Sequence, residues 1–186
     1  VTPAGVVANV WDNHGGTGSL GGLTGYQMLK QPYCLPPLDR AYSALLGDLA
    51  KRGAKTLALD VTDEGSMRNA VDEVERDGPI GGLVNNAGYS QSGAIETIPM
   101  DSVRRQFETN VFGLVRMCQL VLPGMRRAGS GRIVNLSSMG GKLVFPGGGV
   151  YHAAKHAVEA LSDALRFEVA GFGIDVVIIE PGLIVT

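Results

Sequence analysis

Residues 131–155, GRIVNLSSMGGKLVFPGGGVYHAAK, decide how this chain is read. The stretch opens on the apolar run Ile133-Val134-Asn135-Leu136, bounded by glycine and serine, which predicts a buried strand. Ser137 and Ser138 fall where that strand ends, and a glycine-punctuated loop leads on to Tyr151 and Lys155. Four residues along a helix are a rise of about 6 Å with both side chains on one face. An ammonium held near a phenol favours the phenolate, because opposite charge stabilises the ionised form. A serine hydroxyl at a neighbouring strand end can then hydrogen-bond the oxygen that gains or loses a proton. Taken alone, the Tyr-x-x-x-Lys spacing fits a helix-start aromatic and a solvated lysine just as well. The surrounding pattern has to choose.

Towards the C-terminus the pattern predicts a helix from Tyr151 to about Ala170 and a strand over residues 174–179. Towards the N-terminus, Asp101 is expected to cap a long helix. In it Val103, Phe107, Val111, Leu114, Val115, Cys118 and Leu122 recur at helical spacing, and Pro123-Gly124 is its expected end. Asn110 lies on the inward side of this stripe, so its carboxamide is either a structural bond-maker or part of a site. Residues 80–85 read as a strand ending in Asn85-Asn86-Ala87-Gly88, and residues 63–76 as a helix with Met67, Ala70, Val71 and Val74 inward. Before them, residues 56–61 (TLALDV) predict a strand reaching Asp60, and residues 42–51 a helix with Leu45, Leu46 and Leu49 on one face.

Apolar strands alternating with helices indicate an α/β fold built on a parallel sheet. In such sheets ligands sit beyond the carboxyl ends of the strands. Asp60, Asn86, Ser138 and Pro181-Gly182 all fall at that edge. Scattered surface residues have no reason to converge there, and the convergence favours a site.

The totals exclude several classes. The 186 residues suffice for one domain, and 45% hydrophobic against 18% charged residues indicates a packed interior rather than disorder. A net charge of −2 gives no footprint for nucleic acid or an anionic membrane. No apolar run approaches the ~18 residues of a membrane span, and no charged-then-apolar leader is present. Cys34 and Cys118 are isolated thiols, so a reducing cytoplasm is expected rather than a disulfide framework. His, Cys and acidic residues do not cluster at metal-ligand spacing, so no metal is expected. His14 reads as a loop residue, and His152 and His156 as surface or packing groups.

Residues 1–38 form an atypical segment, without an initiator Met and with Asp12 and Lys30 as their only charged side chains. Residues 6–11 are compatible with a short strand. Gly16-Thr17-Gly18-Ser19-Leu20-Gly21 matches G-x-G-x-x-G, a turn that lets backbone amides approach a pyrophosphate. Gly22 and Gly25 weaken the helix that should follow, Pro32 stops it, and Pro36-Pro37 sits where a central strand is expected. Flexible linker and phosphate loop both remain open.

With these residues in view, the chain resembles the short-chain dehydrogenase/reductase family. The matching pieces are LDVTD (59–63), LVNNAG (83–88), ETNVFG (108–113), IVNLSS (133–138), YHAAK (151–155) and EPGLIVT (180–186). They run in the family's order over about residues 42–186, and Ser138 precedes Tyr151 by 13 residues, as the family's catalytic serine does. The resemblance implies one partial Rossmann-like domain over residues 1–186, a doubly wound parallel sheet in three αβα layers lacking the last strand and the substrate lid. It implies Tyr151 as general acid/base, Lys155 assisting it and holding the nicotinamide ribose, Ser138 orienting the substrate oxygen, and Asn110 holding a water in a relay with Lys155. Gly16, Gly18, Gly21 and Gly22 would meet the pyrophosphate, and Asp60 and Val61 the adenine. Asn86, Ala87 and Gly88 would line the adenosine side, with Pro181, Gly182, Ile184 and Thr186 flanking the nicotinamide.

Two departures stand against the pattern. Thr24 replaces the last glycine of the family's first turn, where a β-carbon crowds the pyrophosphate. The sequence also stops at Thr186, where members continue for some tens of residues, so a truncated gene is expected. The expected activity is an NAD(P)-dependent oxidoreductase interconverting a secondary alcohol and a carbonyl. Phe145, Pro146, Met139 and Tyr89 would border a small apolar substrate. The alternative is a catalytically silent remnant or a self-associating module that binds no cofactor. A homo-oligomer, dimer or tetramer, would form through the helices near 101–122 and 151–170, with no nucleic-acid partner. Asp39 and Arg40 are adjacent where the cofactor's ribose would be read, which leaves NAD and NADP both open.

Overall fold

The computed structural model describes residues 6–8, 51, 53 and 55–182. The expected helix over residues 42–51, the turn carrying Gly16, Gly18, Gly21 and Gly22, and Ile184 and Thr186 fall outside that set, apart from Lys51. The chain divides into a unit of Val1–Asp12 with Leu59–Thr186 and a second of Asn13–Ala58. The elements that follow belong to the first unit.

Four parallel strands lie side by side in sequence order: β1 (Val6–Ala8), β2 (Gly82–Asn85), β3 (Gly131–Leu136) and β4 (Ile174–Ile179). Leu83 stands opposite Ile133, and Ile133 opposite Val176. Parallel neighbours need crossovers, and helices supply them. Helix α1 (Glu64–Glu75) precedes β2, α2 (Met100–Phe107) and α3 (Gly113–Ala128) join β2 to β3, and α4 (Gly149–Val169) joins β3 to β4. Right-handed crossovers between strands taken in order set these helices on one face of the sheet. The strands alternate accordingly. Leu83, Ile133, Ile174 and Val176 are buried in one core with Met67, Val71, Met117, Val121 and Val158 from the helices, whereas Arg132, Asp175 and Val177 are exposed. Each fully buried Leu or Ile there contributes about 1.5–3 kcal/mol.

Helix α1 forms as its sequence implies. Asp63 is its N-cap, accepting from Ser66 N at 2.6 Å, and Met67, Ala70 and Val71 are buried. Four expectations are corrected. Residues 55–60 form no strand, because a strand exists only by pairing and the apolar run TLALDV carries no information about a partner edge. Asp101 is not a cap: the helix starts at Met100 behind Pro99, and Asp101 sits in the first turn, 3.0 Å from Arg104 Nη1. Pro123 does not end the helix, which runs on to Ala128 and stops at Gly129 in the left-handed conformation (φ 66°). Proline deletes one bond to the carbonyl four residues back, Gln119, and both residues lie on the exposed side where water can take that carbonyl.

The expected apolar stripe of the long helix is corrected too. A π-helical turn at Glu108–Phe112 separates α2 from α3 and rotates the inward face. The buried residues before it are polar, Ser102 and Gln106, while Val103 and Phe107 are only half-buried, and the turn itself buries Thr109, Asn110 and Val111. After it the face is apolar, through Leu114, Met117, Cys118 and Val121. Burial pushes the Cys118 thiol up to about 12, which makes it an inert packing group.

A polar chain crosses this core. Asn85 Nδ2 donates to Asn135 Oδ1 (2.9 Å), Asn135 Nδ2 to Ser162 Oγ (2.8 Å), and Ser162 Oγ to Val158 O (2.6 Å). It stitches β2 and β3 to α4, so the strand ends and the helix share one register. Asn135→Ala removes the buried bonds that Asn135 makes to Asn85 and Ser162 and should lower the unfolding free energy by about 1–3 kcal/mol, measured by urea denaturation.

Candidate active site

The ends of β3 and β4 remain joined beyond their ladder. Ser137 N donates to Ile179 O (2.8 Å) and Met139 N to Pro181 O (2.9 Å), which lays Pro181-Gly182 beside Ser138. Ser138 is extended (φ −169°, ψ 163°), and its Oγ accepts from Gly140 N at 3.1 Å to start a 3-10 turn, Met139–Gly141. The loop then reaches α4, whose first turn carries Tyr151. Gly93 N donates to Gly147 O (2.9 Å), tying the loop after β2 to the loop before α4.

These segments enclose an open cleft of about 540 Å³. Ser138, Phe145, Tyr151 and Gly182 all line it, with Met139, Pro146 and His152. Lys155 lies below the phenol, its Nζ 5.8 Å from the Tyr151 ring centroid. That ammonium donates to Leu136 O at 2.6 Å and is only 7% exposed. Burial draws Lys155 down from 10.5 to about 8, against the opposing charge of Glu159.

His152 is a packing group, as its sequence context suggested, and it shapes the cleft. Its ring meets Phe145 at 5.4 Å and Tyr151 at 5.8 Å between centroids, and Nδ1 donates to Gly140 O at 3.1 Å. A Cβ on Gly140 would lie 2.6 Å from His152 Nδ1 and 3.2 Å from Tyr151 Cε1. Glycine at 140 is therefore a steric requirement of the ring stack.

Other expected site residues are not among those that line this cleft. Asn110 Oδ1 accepts from Tyr89 N (3.1 Å) and its Nδ2 donates to Tyr89 O (2.9 Å), so its carboxamide clamps the loop after β2. Tyr89 is half-buried on that clamp, and its neighbour Ser90, rather than Tyr89 itself, lines the cleft. Asn86 is exposed at the exit of β2, with Ala87 and Gly88 half-buried after it. Asp60 Oδ1 closes the turn before α1, accepting from Thr62 N (2.8 Å) and Thr62 Oγ1 (2.7 Å). Val61 is buried. The sequence reading did not anticipate Ser90, Ser92, Gly93 and Ala94 in the lining, nor Gln106 as a second clamp on Tyr89 O (2.9 Å). The run SQSGA carried only a loop signal, and a polar residue on a helix gives no hint of what it will hold.

The family described as short chain dehydrogenase matches residues 15–186. The chain belongs to this family. A 3-ketodihydrosphingosine reductase of Bacteroides thetaiotaomicron is 38% identical over 169 residues, covering 90% of this chain and 61% of its own. Among solved structures, a short-chain dehydrogenase from Streptomyces avermitilis superposes with a TM-score of 0.74 at 44% identity, over 79% of this chain and 55% of its own. A gluconate 5-dehydrogenase from Burkholderia cenocepacia, in complex with NADP and tartrate, superposes at 0.72 with 29% identity, over 80% and 59%. The fold is thus the Rossmann-like parallel sheet of an oxidoreductase family, and the chain spans about half the length of the curated relatives it matches. Among the described residues, no helix is long and apolar enough to cross a membrane, and no three potential metal ligands come together.

The depressed Lys155 makes the folding of this chain pH-dependent. Below pH 8 both folded and unfolded chains hold the proton, and the folded chain carries the full burial penalty. Between 8 and 10.5 the folded chain has released it while the unfolded chain still binds it, so stability rises with pH in that window. Relative to Lys155→Met, the wild type should gain about 2–3 kcal/mol over this window. Urea denaturation of both proteins at several pH values reads the difference, and a constant gap counts against a depressed lysine.

Proposed function

We propose that this chain carries the catalytic centre of an NAD(P)-dependent oxidoreductase that interconverts a secondary alcohol and a carbonyl, with Tyr151 as general acid/base. The observation that carries this reading is the shared cleft: Ser138 and Tyr151 line it together, and Lys155 lies beneath the phenol. In the reducing direction the Tyr151 hydroxyl gives its proton to the substrate oxygen while the Ser138 hydroxyl hydrogen-bonds the same atom. Ammonium charge below the ring stabilises the phenolate left behind. Asn110 belongs to the same reading as the holder of a water that resupplies the proton by way of Lys155.

The residues present suit a nicotinamide nucleotide. An ammonium has three donors, and Leu136 O takes one from Lys155, leaving others for ribose hydroxyls. Among the described residues nothing lies within 4 Å of where a Cβ on Gly182 would stand, and the β2 exit presents the small residues Ala87 and Gly88. In this proposal Asp60 and Val61 meet the adenine, Asn86, Ala87 and Gly88 the adenosine side, and Pro181 and Gly182 the nicotinamide. When bound, the nucleotide supplies or accepts the hydride, and the protein contributes position and proton traffic. NADP in the gluconate 5-dehydrogenase complex supports the cofactor class.

An apolar substrate fits the walls. Phe145, Pro146, Met139 and Ala94 face the cleft, and Ile95, Leu143 and Val144 are exposed around them. The 3-ketodihydrosphingosine reductase relative is consistent with that preference. Self-association through the helices near 101–122 (α2 and α3) and 151–170 (α4) belongs to the same reading, and exposed Leu161 and Phe167 on α4 support it.

Titration with NADH and with NADPH, followed by melting temperature, tests the proposal. At about 100 times its dissociation constant, a bound nucleotide stabilises the chain by about 2.7 kcal/mol. Tyr151→Phe should keep that shift and lose at least about 100-fold in turnover. Saturation by both nucleotides without a shift identifies a silent domain, and unchanged turnover in the variant removes Tyr151 from the chemistry.

A further inference from the structure

Glu159 lies one helical turn beyond Lys155 on the inward side of α4 and is 6% exposed. The acid/base scheme above has no use for a carboxylate there, and burying one is unfavourable unless opposite charge meets it. Two lysines do so. Lys142, at the end of the turn that follows Ser138, places Nζ 3.0 Å from Glu159 Oε2. The same Nζ is 3.4 Å from Oε1 of Glu180, the residue between β4 and Pro181-Gly182. Lys155 approaches from the preceding turn of α4, close enough for Glu159 to oppose the effect of burial on it.

The surrounding space is built around this carboxylate. A Cβ on Gly141 would lie 2.9 Å from Glu159 Oε1 and 2.6 Å from Ser137 Oγ. Both oxygens are buried and have no hydrogen-bond partner among the described residues. An apolar side chain would fill the same volume without the electrostatic penalty. Charge, rather than bulk, is what this position supplies.

We propose that Glu159 is a positioning residue: its carboxylate is the counter-charge of Lys155 beneath Tyr151, and through Lys142 and Glu180 it latches the Ser138 turn to the exit of β4. Three charged groups from three different segments thereby hold together the walls of one cleft. The consequence for turnover rests on the acid/base reading of Tyr151 and Lys155, whereas the charge coupling itself does not. The titratable groups within two turns of Lys155 on its own helix are Tyr151, His152, His156 and Glu159; Lys142 after β3 and Glu180 after β4 stand beside Glu159, and the helical segment packed on α4 carries Asp101, Arg104, Arg105 and Glu108. β3 contributes the Leu136 carbonyl.

Competitive acetylation with acetic anhydride across a pH series, resolved by peptide mass spectrometry against an added lysine peptide, gives the protonation midpoint of Lys155 without any turnover. Glu159→Gln keeps the shape, removes the charge and should lower that midpoint by about 1 unit, and Glu159→Asp should recover part of the shift. Lys142→Gln removes the competing cation and should move the midpoint the other way, upward by about 0.3 unit. An unchanged Lys155 midpoint in a folded Glu159→Gln protein overturns the proposal. Should that variant fail to fold, Lys142→Gln decides by sign, and a midpoint that stays or falls overturns it as well. A chain that labels as expected yet never turns over supports the coupling and removes the oxidoreductase reading instead.

Discussion

The hydrogen bond from Lys155 Nζ to Leu136 O, 2.6 Å long and buried, is the contact on which the cleft depends. It fastens the second turn of α4 to the last residue of β3. A helix so fastened has little freedom to rotate, and Tyr151, one turn earlier, is carried into the lining that Ser138 enters from the strand end. The asparagine chain from β2 through β3 to Ser162 performs the same task deeper in the core. One lysine thus has two roles that conflict energetically. Its burial fixes the geometry, and the same burial disfavours the charge that the phenol would need. Glu159 stands where that conflict is relieved.

Polar residues inside the first half of the long helical segment have a comparable logic. Gln106 and Asn110 are almost wholly buried, yet each is bonded to the loop after β2 rather than to another helix. A loop carries unpaired backbone donors and acceptors, and a carboxamide can satisfy one of each. The π-helical turn at Glu108–Phe112 brings Thr109, Asn110 and Val111 inward together. Insertion of an extra residue into a helix costs hydrogen-bond quality and is common at functional sites. Here it separates a polar, loop-holding half from an apolar, sheet-packing half.

Much of this architecture was legible beforehand, and the failures have definite causes. Helix α1 was readable because Asp63 and the Met67/Ala70/Val71 spacing are local features. Strands β3 and β4 were readable as short apolar runs between turn residues. Residues 56–61 looked the same and made no strand, since pairing depends on a neighbour that a single run does not encode. Periodicity held from Val111 to Leu122 and failed at Val103 and Phe107, because a constant period of 3.6 cannot run through a helix with a wide turn in it. Pro123 misled for a different reason: its cost depends on which side of the helix faces water.

The residue types, their order, the strand-end placement of Ser138 and the one-turn spacing of Tyr151 and Lys155 on a helix come from the sequence by itself, since each is a matter of local pattern and spacing. Only the tertiary structure decided that Ser138 and Tyr151 share one cleft, that Asn110 holds Tyr89, and that Glu159, Lys142 and Glu180 meet. Those encounters join residues far apart in the chain, and their geometry is set by how one helix seats against three strand ends. No window of sequence contains that information.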